Sequence, residues 1–264
     1  MQMTEKRVEH FVLVHGGCHG AWCWYKVATL LRSDGHRVTT LDSAACGINQ
    51  KQVQEVHSYH DYFEPLLEFM ANLPPDEKVI LVGHSYGGYG LSLAMESFPE
   101  KISVAVFVTA LMPGPDLTYL TISHEISKVF KSFGDEIFTF VQSSDKRIIS
   151  YNFRQEALAS KLYQLSPAQD LTLATLLARP HPAETDTNAS EELMVSNEKY
   201  GSVCRVYVVA DQDILLPEET QRWMIQLNPP DEVKVIQGSD HMTMFSKPQE
   251  LCSCLLAIAQ QHCY

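Results

Sequence analysis

The stretch Glu77-Lys78-Val79-Ile80-Leu81-Val82-Gly83-His84-Ser85-Tyr86-Gly87-Gly88 runs on into Tyr89-Gly90-Leu91-Ser92-Leu93-Ala94-Met95. An apolar, β-branched run leads into G-x-S-x-G, and helical composition follows it. Gly and Ser are ordinary loop residues, so the pattern alone says little. Its place between a strand and a helix says much more. A serine on so tight a strand-to-helix turn has a strained backbone and holds its hydroxyl clear above the sheet. Glycines two residues to either side relieve side-chain clashes, and the helix N-terminus supplies positive potential and N–H groups. Ser85 is read as a nucleophile.

The same alternation extends in both directions. His10-Phe11-Val12-Leu13-Val14-His15 reads as a buried strand entering the tight turn Gly16-Gly17. Ala21 to Leu31 has helical composition, and Arg37 to Asp42 reads as the next strand. Tyr62 to Leu73 fits a helix ended by Pro74-Pro75, and Ile102 to Val108 is a further buried strand. Between about Pro113 and Asn197 the alternation stops. Helical patches such as Leu158 to Leu165 and Leu171 to Ala178 are broken by Pro180, Pro182 and a polar Thr/Asn/Ser stretch. Strand Ser202 to Ala210, helix Pro217 to Leu227, strand Glu232 to Ile236 and helix Pro248 to Gln261 then resume it. The expected fold is α/β, a mainly parallel sheet with helices on both faces. Residues 1–112 and 198–264 form the core, and 113–197 an insertion that lies over the site as a lid.

A chain of 264 residues suits one such domain with an insertion. Its hydrophobic content of 45% and charged content of 20% are those of an ordinary soluble globule. A formal net charge of −12 argues against nucleic-acid or anionic-membrane partners, which call for basic clusters. Met1 to Glu9 is polar, no run approaches a membrane span, and neither end carries a lipidation motif. The seven cysteines (Cys18, Cys23, Cys46, Cys204, Cys252, Cys254, Cys263) are scattered and make no C-x-x-C pair. They suit a reduced cytosolic chain rather than a disulfide framework or zinc site. Asn188-Ala189-Ser190 is a glycosylation sequon, expected to be idle without a secretory signal.

A serine nucleophile needs a base, and the base needs an orienting acid. Downstream of Ser85 stand His124, His181, His241 and His262. The first two fall in the insertion and His262 is near the end, which leaves His241 in the loop between the last strand and last helix as the base. The acid belongs at the end of the preceding strand, where Asp211 and Asp213 both qualify. Asp213 is preferred because Ile214-Leu215-Leu216-Pro217 would anchor its loop against the lid, while Asp240 reads as structural. N–H groups must meet the charge that develops on a substrate carbonyl oxygen. Tyr86 N–H and one N–H of the Gly16-Gly17 turn, with Gly17 the best placed, are the candidates. Losing one such donor costs about a hundredfold to a thousandfold in turnover.

Longer stretches resemble the plant methylesterase group of the α/β-hydrolases, which includes salicylate-binding methylesterases, methyl jasmonate esterases, polyneuridine aldehyde esterase and hydroxynitrile lyases. The matches are Phe11 to Trp22 with Trp24-Tyr25-Lys26, Pro75 to Gly88, Phe98 to Phe107, Tyr200 to Val203 and Gly238 to Met244. The resemblance is weakest between Asp116 and Glu156. It implies the triad Ser85, Asp213 and His241, a small helical cap, and an apolar pocket touching Gly17, His19, Tyr86, Met112 and Met242. It also implies a small-molecule methyl ester substrate of salicylate, jasmonate, indole-3-acetate or alkaloid type, no cofactor and no metal, and a possible homodimer. Hydroxynitrile lyases of one subgroup carry Thr after the first His and Lys after the catalytic His, where this chain has Gly16 and Met242. Others carry Asn at the Gly16 position, and the related methylketone-forming decarboxylases lack the nucleophilic serine. Another departure is Ser43 directly after Asp42, where the family commonly has Leu; it either alters the pocket floor or has no consequence. A lyase using the same triad as acid and base, and a hormone receptor without turnover, are the alternatives.

Overall fold

Alternate residues of each central strand face opposite sides, which is why these segments are apolar throughout. In β1 (His10–Val14) Val12 and Val14 join one core and Phe11 and Leu13 the other. The same split holds in β3 (Val79–His84) and β4 (Ile102–Val108), and β2 (Arg37–Leu41) flanks β1. Helices α1 (Tyr25–Ser33), α2 (Tyr59–Asn72) and α3 (Gly87–Ser97) cover the two faces, α1 on one and α2 with α3 on the other. The structure, a computed structural model, describes residues 7–134, 137–142, 144, 148–183 and 189–262. The sequon asparagine Asn188, Cys263 and the first residues of the chain lie outside these.

The insertion departs from the helical cap that the sequence suggests. After helix α4 (Tyr119–Ser132) come strands β5 (Phe138–Gln142) and β6 (Ile148–Phe153). Helix α5 (Ala168–Leu177) precedes the short β7 (His181–Pro182), and β5, β6 and β7 form an antiparallel sheet. The core then resumes with β8 (Arg205–Ala210), α6 (Glu218–Leu227), β9 (Glu232–Ile236) and α7 (Pro248–His262). The main sheet has the order β2-β1-β3-β4-β8-β9 and every pairing in it is parallel.

Parallel strands all end on one edge. The turns after β1, β3, β4, β8 and β9 therefore gather there, and they carry Gly16-Gly17, Ser85, Thr109, Asp213 and His241. Among the described residues no helix is long and apolar enough to cross a membrane.

Candidate active site

Ser85 holds a φ of 53°, left-handed backbone that costs a non-glycine residue about 1–3 kcal/mol. It is locked there because Ser85 N–H donates to Val108 O and Ser85 O accepts from Leu111 and Gly88 N–H. The turn is possible only with backbone crowded on backbone. A Cβ at Gly87 would stand 2.8 Å from His15 O, and one at Gly16 would stand 2.9 Å from both Ser85 Cβ and the His84 ring.

His241 reaches Ser85 from the loop after β9. Its Nε2 lies 3.0 Å from Ser85 Oγ, and its Nδ1 lies 2.6 Å from Asp213 Oδ2. A carboxylate only accepts, so the imidazole proton sits on Nδ1 and Nε2 takes the serine hydroxyl hydrogen. Asp213 and His241 are buried, which keeps water from competing for these bonds. Asp213 is held further by Leu216 N–H on Oδ1 (2.8 Å) and by the Thr109 hydroxyl on Oδ2 (2.6 Å). Of the two candidate acids, Asp211 turns away and its Oδ1 accepts from Gly238 and Ser239 N–H. Asp240 accepts from Met242 N–H, Leu165 N–H and the Ser166 hydroxyl, tying the His241 loop to the insertion. Burial raises its pKa above the ordinary carboxylate value.

Three more histidines surround this line, each gripping a backbone carbonyl. His15 accepts Ser43 N–H on Nε2, so its Nδ1–H donates to Gly16 O at 2.8 Å. His19 Nδ1–H donates to Gly17 O at 2.8 Å while Nε2 accepts the Tyr163 hydroxyl at 2.7 Å. His84 Nε2–H donates to His241 O at 2.8 Å. Burial disfavours their charged forms, lowering His19 to about 4, His15 below the ordinary histidine value and His84 well below it. They act here as neutral donors to the very turns that carry Gly16, Gly17 and His241.

Ser85 and His241 open into a cavity of about 550 Å³. Gly17, Tyr86 and His19 line it as expected. Met112 and Met242, expected there too, do not: both are fully buried, Met112 in the core with α2 and α3, Met242 in the core with α1 and α7. Ser43 also stays out of the lining, its N–H spent on His15. Sequence reasoning missed the walls that the insertion supplies, among them Phe130, Phe138, Ile148, Tyr151 and Phe153. It also missed Thr109. The signal available was its position directly after β4, at the strand ends where sites of α/β sheets collect. Among the described residues no group of three or more His, Cys, Asp or Glu side chains is placed to hold a metal ion.

A serine hydroxyl bonded to an imidazole that is itself bonded to a buried carboxylate can release its proton to Nε2 as Oγ attacks an electrophilic carbon. A parallel sheet with this elbow, and with acid and base on later strand ends, defines an α/β-hydrolase, and residues 11–253 match the alpha/beta hydrolase family. The chain is 56% identical to methyl jasmonate esterase 1 of Vitis vinifera, over 98% of this chain and 99% of that one. It is 44% identical to polyneuridine aldehyde esterase of Rauvolfia serpentina, over 96% and 97% of the two. The solved structure of tomato methylketone synthase I complexed with 2-tridecanone is similar at TM-score 0.92 and 47% identity, covering 97% of this chain and 100% of that one. The chain belongs to the plant methylesterase branch of the α/β-hydrolases.

Proposed function

We propose that this protein is a serine carboxylesterase that cleaves methyl esters of small lipophilic acids. The observation that carries the proposal is the line Ser85–His241–Asp213 at the base of a largely apolar cavity. His241 takes the Ser85 proton and Oγ attacks the ester carbonyl, while Gly17 and Tyr86 N–H hold the oxyanion. His241 then protonates the departing methanol, leaving an acyl-enzyme. Water, deprotonated by the same imidazole, releases the acid and restores Ser85. This chemistry calls for no cofactor.

Residues 113–197 act as the cap that closes the acyl pocket. A cavity of about 550 Å³ has more room than a single aromatic ring fills, so jasmonate-sized or alkaloid-sized acyl groups suit it better than salicylate. The thiols Cys18, Cys23, Cys46, Cys204, Cys252 and Cys254 are free, which fits a reducing cytosol. Family resemblance alone suggests a homodimer.

The test is methanol release from methyl salicylate, methyl jasmonate, methyl indole-3-acetate and an alkaloid β-ketoester. Multiple turnovers on at least one ester are expected, with none above background for Ser85→Ala. No turnover on any of them, or turnover that survives the substitution, defeats the proposal.

A further inference from the structure

Helix α4 turns one face to the cavity. Ser123, Ile126, Ser127 and Phe130 all line it, at the i, i+3, i+4, i+7 spacing of a single helical stripe. The strands that complete this part of the chamber bring Phe138, Phe140, Ile148 and Phe153. A stripe that faces such a chamber is ordinarily apolar, yet half of this one is hydroxyl. In ligand pockets a few polar groups on an apolar wall fix orientation and specificity.

The two hydroxyls differ in what they offer. Ser127 O–H donates to His124 O at 2.7 Å, so its proton is engaged and its lone pairs stay available. The Ser123 hydroxyl makes no hydrogen bond among the described residues, leaving a donor as well as lone pairs. Together they present one hydrogen and several acceptor sites on a stretch of wall where Ile126, Phe130, Phe138, Phe140, Ile148 and Phe153 are hydrocarbon. Ser85, Gly17 and Tyr86 belong to the sheet edge, whereas these serines belong to the wall built by the insertion.

We infer that Ser123 and Ser127 form a polar subsite that reads a ketone or hydroxyl on the acyl group, away from the ester carbonyl. The inference rests on the esterase reading above and narrows its substrate class to methyl esters of oxo- or hydroxy-substituted lipophilic acids. Ser123 donates to the substituent oxygen. Where the substituent is a hydroxyl, Ser127 Oγ accepts its hydrogen.

The test compares kcat/KM for methyl octanoate and its chain-oxo isomers, in wild type and in Ser123→Ala, Ser127→Ala and the double variant. Alanine is the best helix former, so α4 keeps its fold in each. At least one oxo isomer should exceed methyl octanoate by about tenfold in wild type, the worth of one good neutral hydrogen bond. Ser123→Ala should bring that ratio to about one, and Ser123→Thr should restore it. Hydrolysis of all isomers at the methyl octanoate rate, or a preference that survives the double variant, overturns the subsite and leaves the esterase reading standing. No hydrolysis of any ester by wild type removes the esterase reading and the subsite with it.

Discussion

Ser85 at 53° and Thr109 at 37° are among the non-glycine residues at positive φ. Strain of this kind persists only where surrounding bonds over-determine it. At Ser85 it aims the hydroxyl at His241. At Thr109, fixed by its N–H on Val208 O, it aims a hydroxyl at the carboxylate that orients the base. Ser85 and His241 were legible because the elbow and the strand ends each mark a position in chain order, whereas strand-end position alone left Asp211 and Asp213 both open. Thr109 carries no motif, and only the pairing of β4 with β8 brings it to Asp213. Thr109→Val keeps the shape and removes the hydroxyl. Turnover should fall by about tenfold with KM within about twofold, since the substrate itself is untouched, and Thr109→Ser should recover most of it. Steady-state kinetics on a methyl ester decide this, and an unchanged kcat would make Thr109 a packing residue only.

At the scale of elements, the core strands announced themselves and the insertion did not. Phe138-Thr139-Phe140-Val141 has β-forming residues, but a strand this short is recognisable only with its partner. β6 is the near partner of β5, whereas β7 joins from His181, far along the chain. The insertion is fastened to the core by buried polar groups. Asp170 of α5 is buried and takes the Lys26 ammonium and the Tyr25 hydroxyl of α1. Arg179 donates to the carbonyls of Gly47, Asn49 and Lys51. Asp170→Ala leaves the partly exposed Lys26 ammonium without its carboxylate. Thermal unfolding should show a loss of about 2 kcal/mol, discounted from the fully buried case because water reaches Lys26. KM should rise by about threefold or more as the pocket wall loosens. Unchanged stability and KM would mean that α5 is held by its apolar contacts alone.

For the whole molecule, buried histidines are expected to contribute to the loss of stability in acid. Burial lowers His19 to about 4 and His181 to about 3, from an ordinary 6.5. Both stay neutral in the folded protein while the unfolded chain takes up protons below about 6.5, so their contribution is complete above that value and is lost as pH falls toward the folded values. Each group should remove about 1.4 kcal/mol per pH unit across that window. Among the described residues neither ring nitrogen of His181 has a hydrogen-bond partner, and its ring lies edge-to-face with Tyr62, Tyr86 and Tyr151. His181→Phe should therefore raise the melting temperature near pH 5 and flatten the acid loss by about one proton. Urea titrations at several pH values give the slope, and an unchanged slope would show that His181 does not contribute to the acid loss.

Local chemistry determined a good deal without the structure. Continuous apolar runs separated by helical segments dictate buried parallel strands because both faces of such a sheet must be covered, and the elbow follows from glycines that no side chain could replace. Chain order then put nucleophile, acid and base after β3, β8 and β9. What only tertiary structure decided were contacts between distant segments. Asp213 rather than Asp211 faces His241, Thr109 supports it, and Met112 and Met242 sink into two different cores instead of the pocket. The serine pair of α4 gains its meaning from phenylalanines on strands that follow it. Spacing along one chain carries the period of an element, but not the direction in which that element is turned when another packs against it.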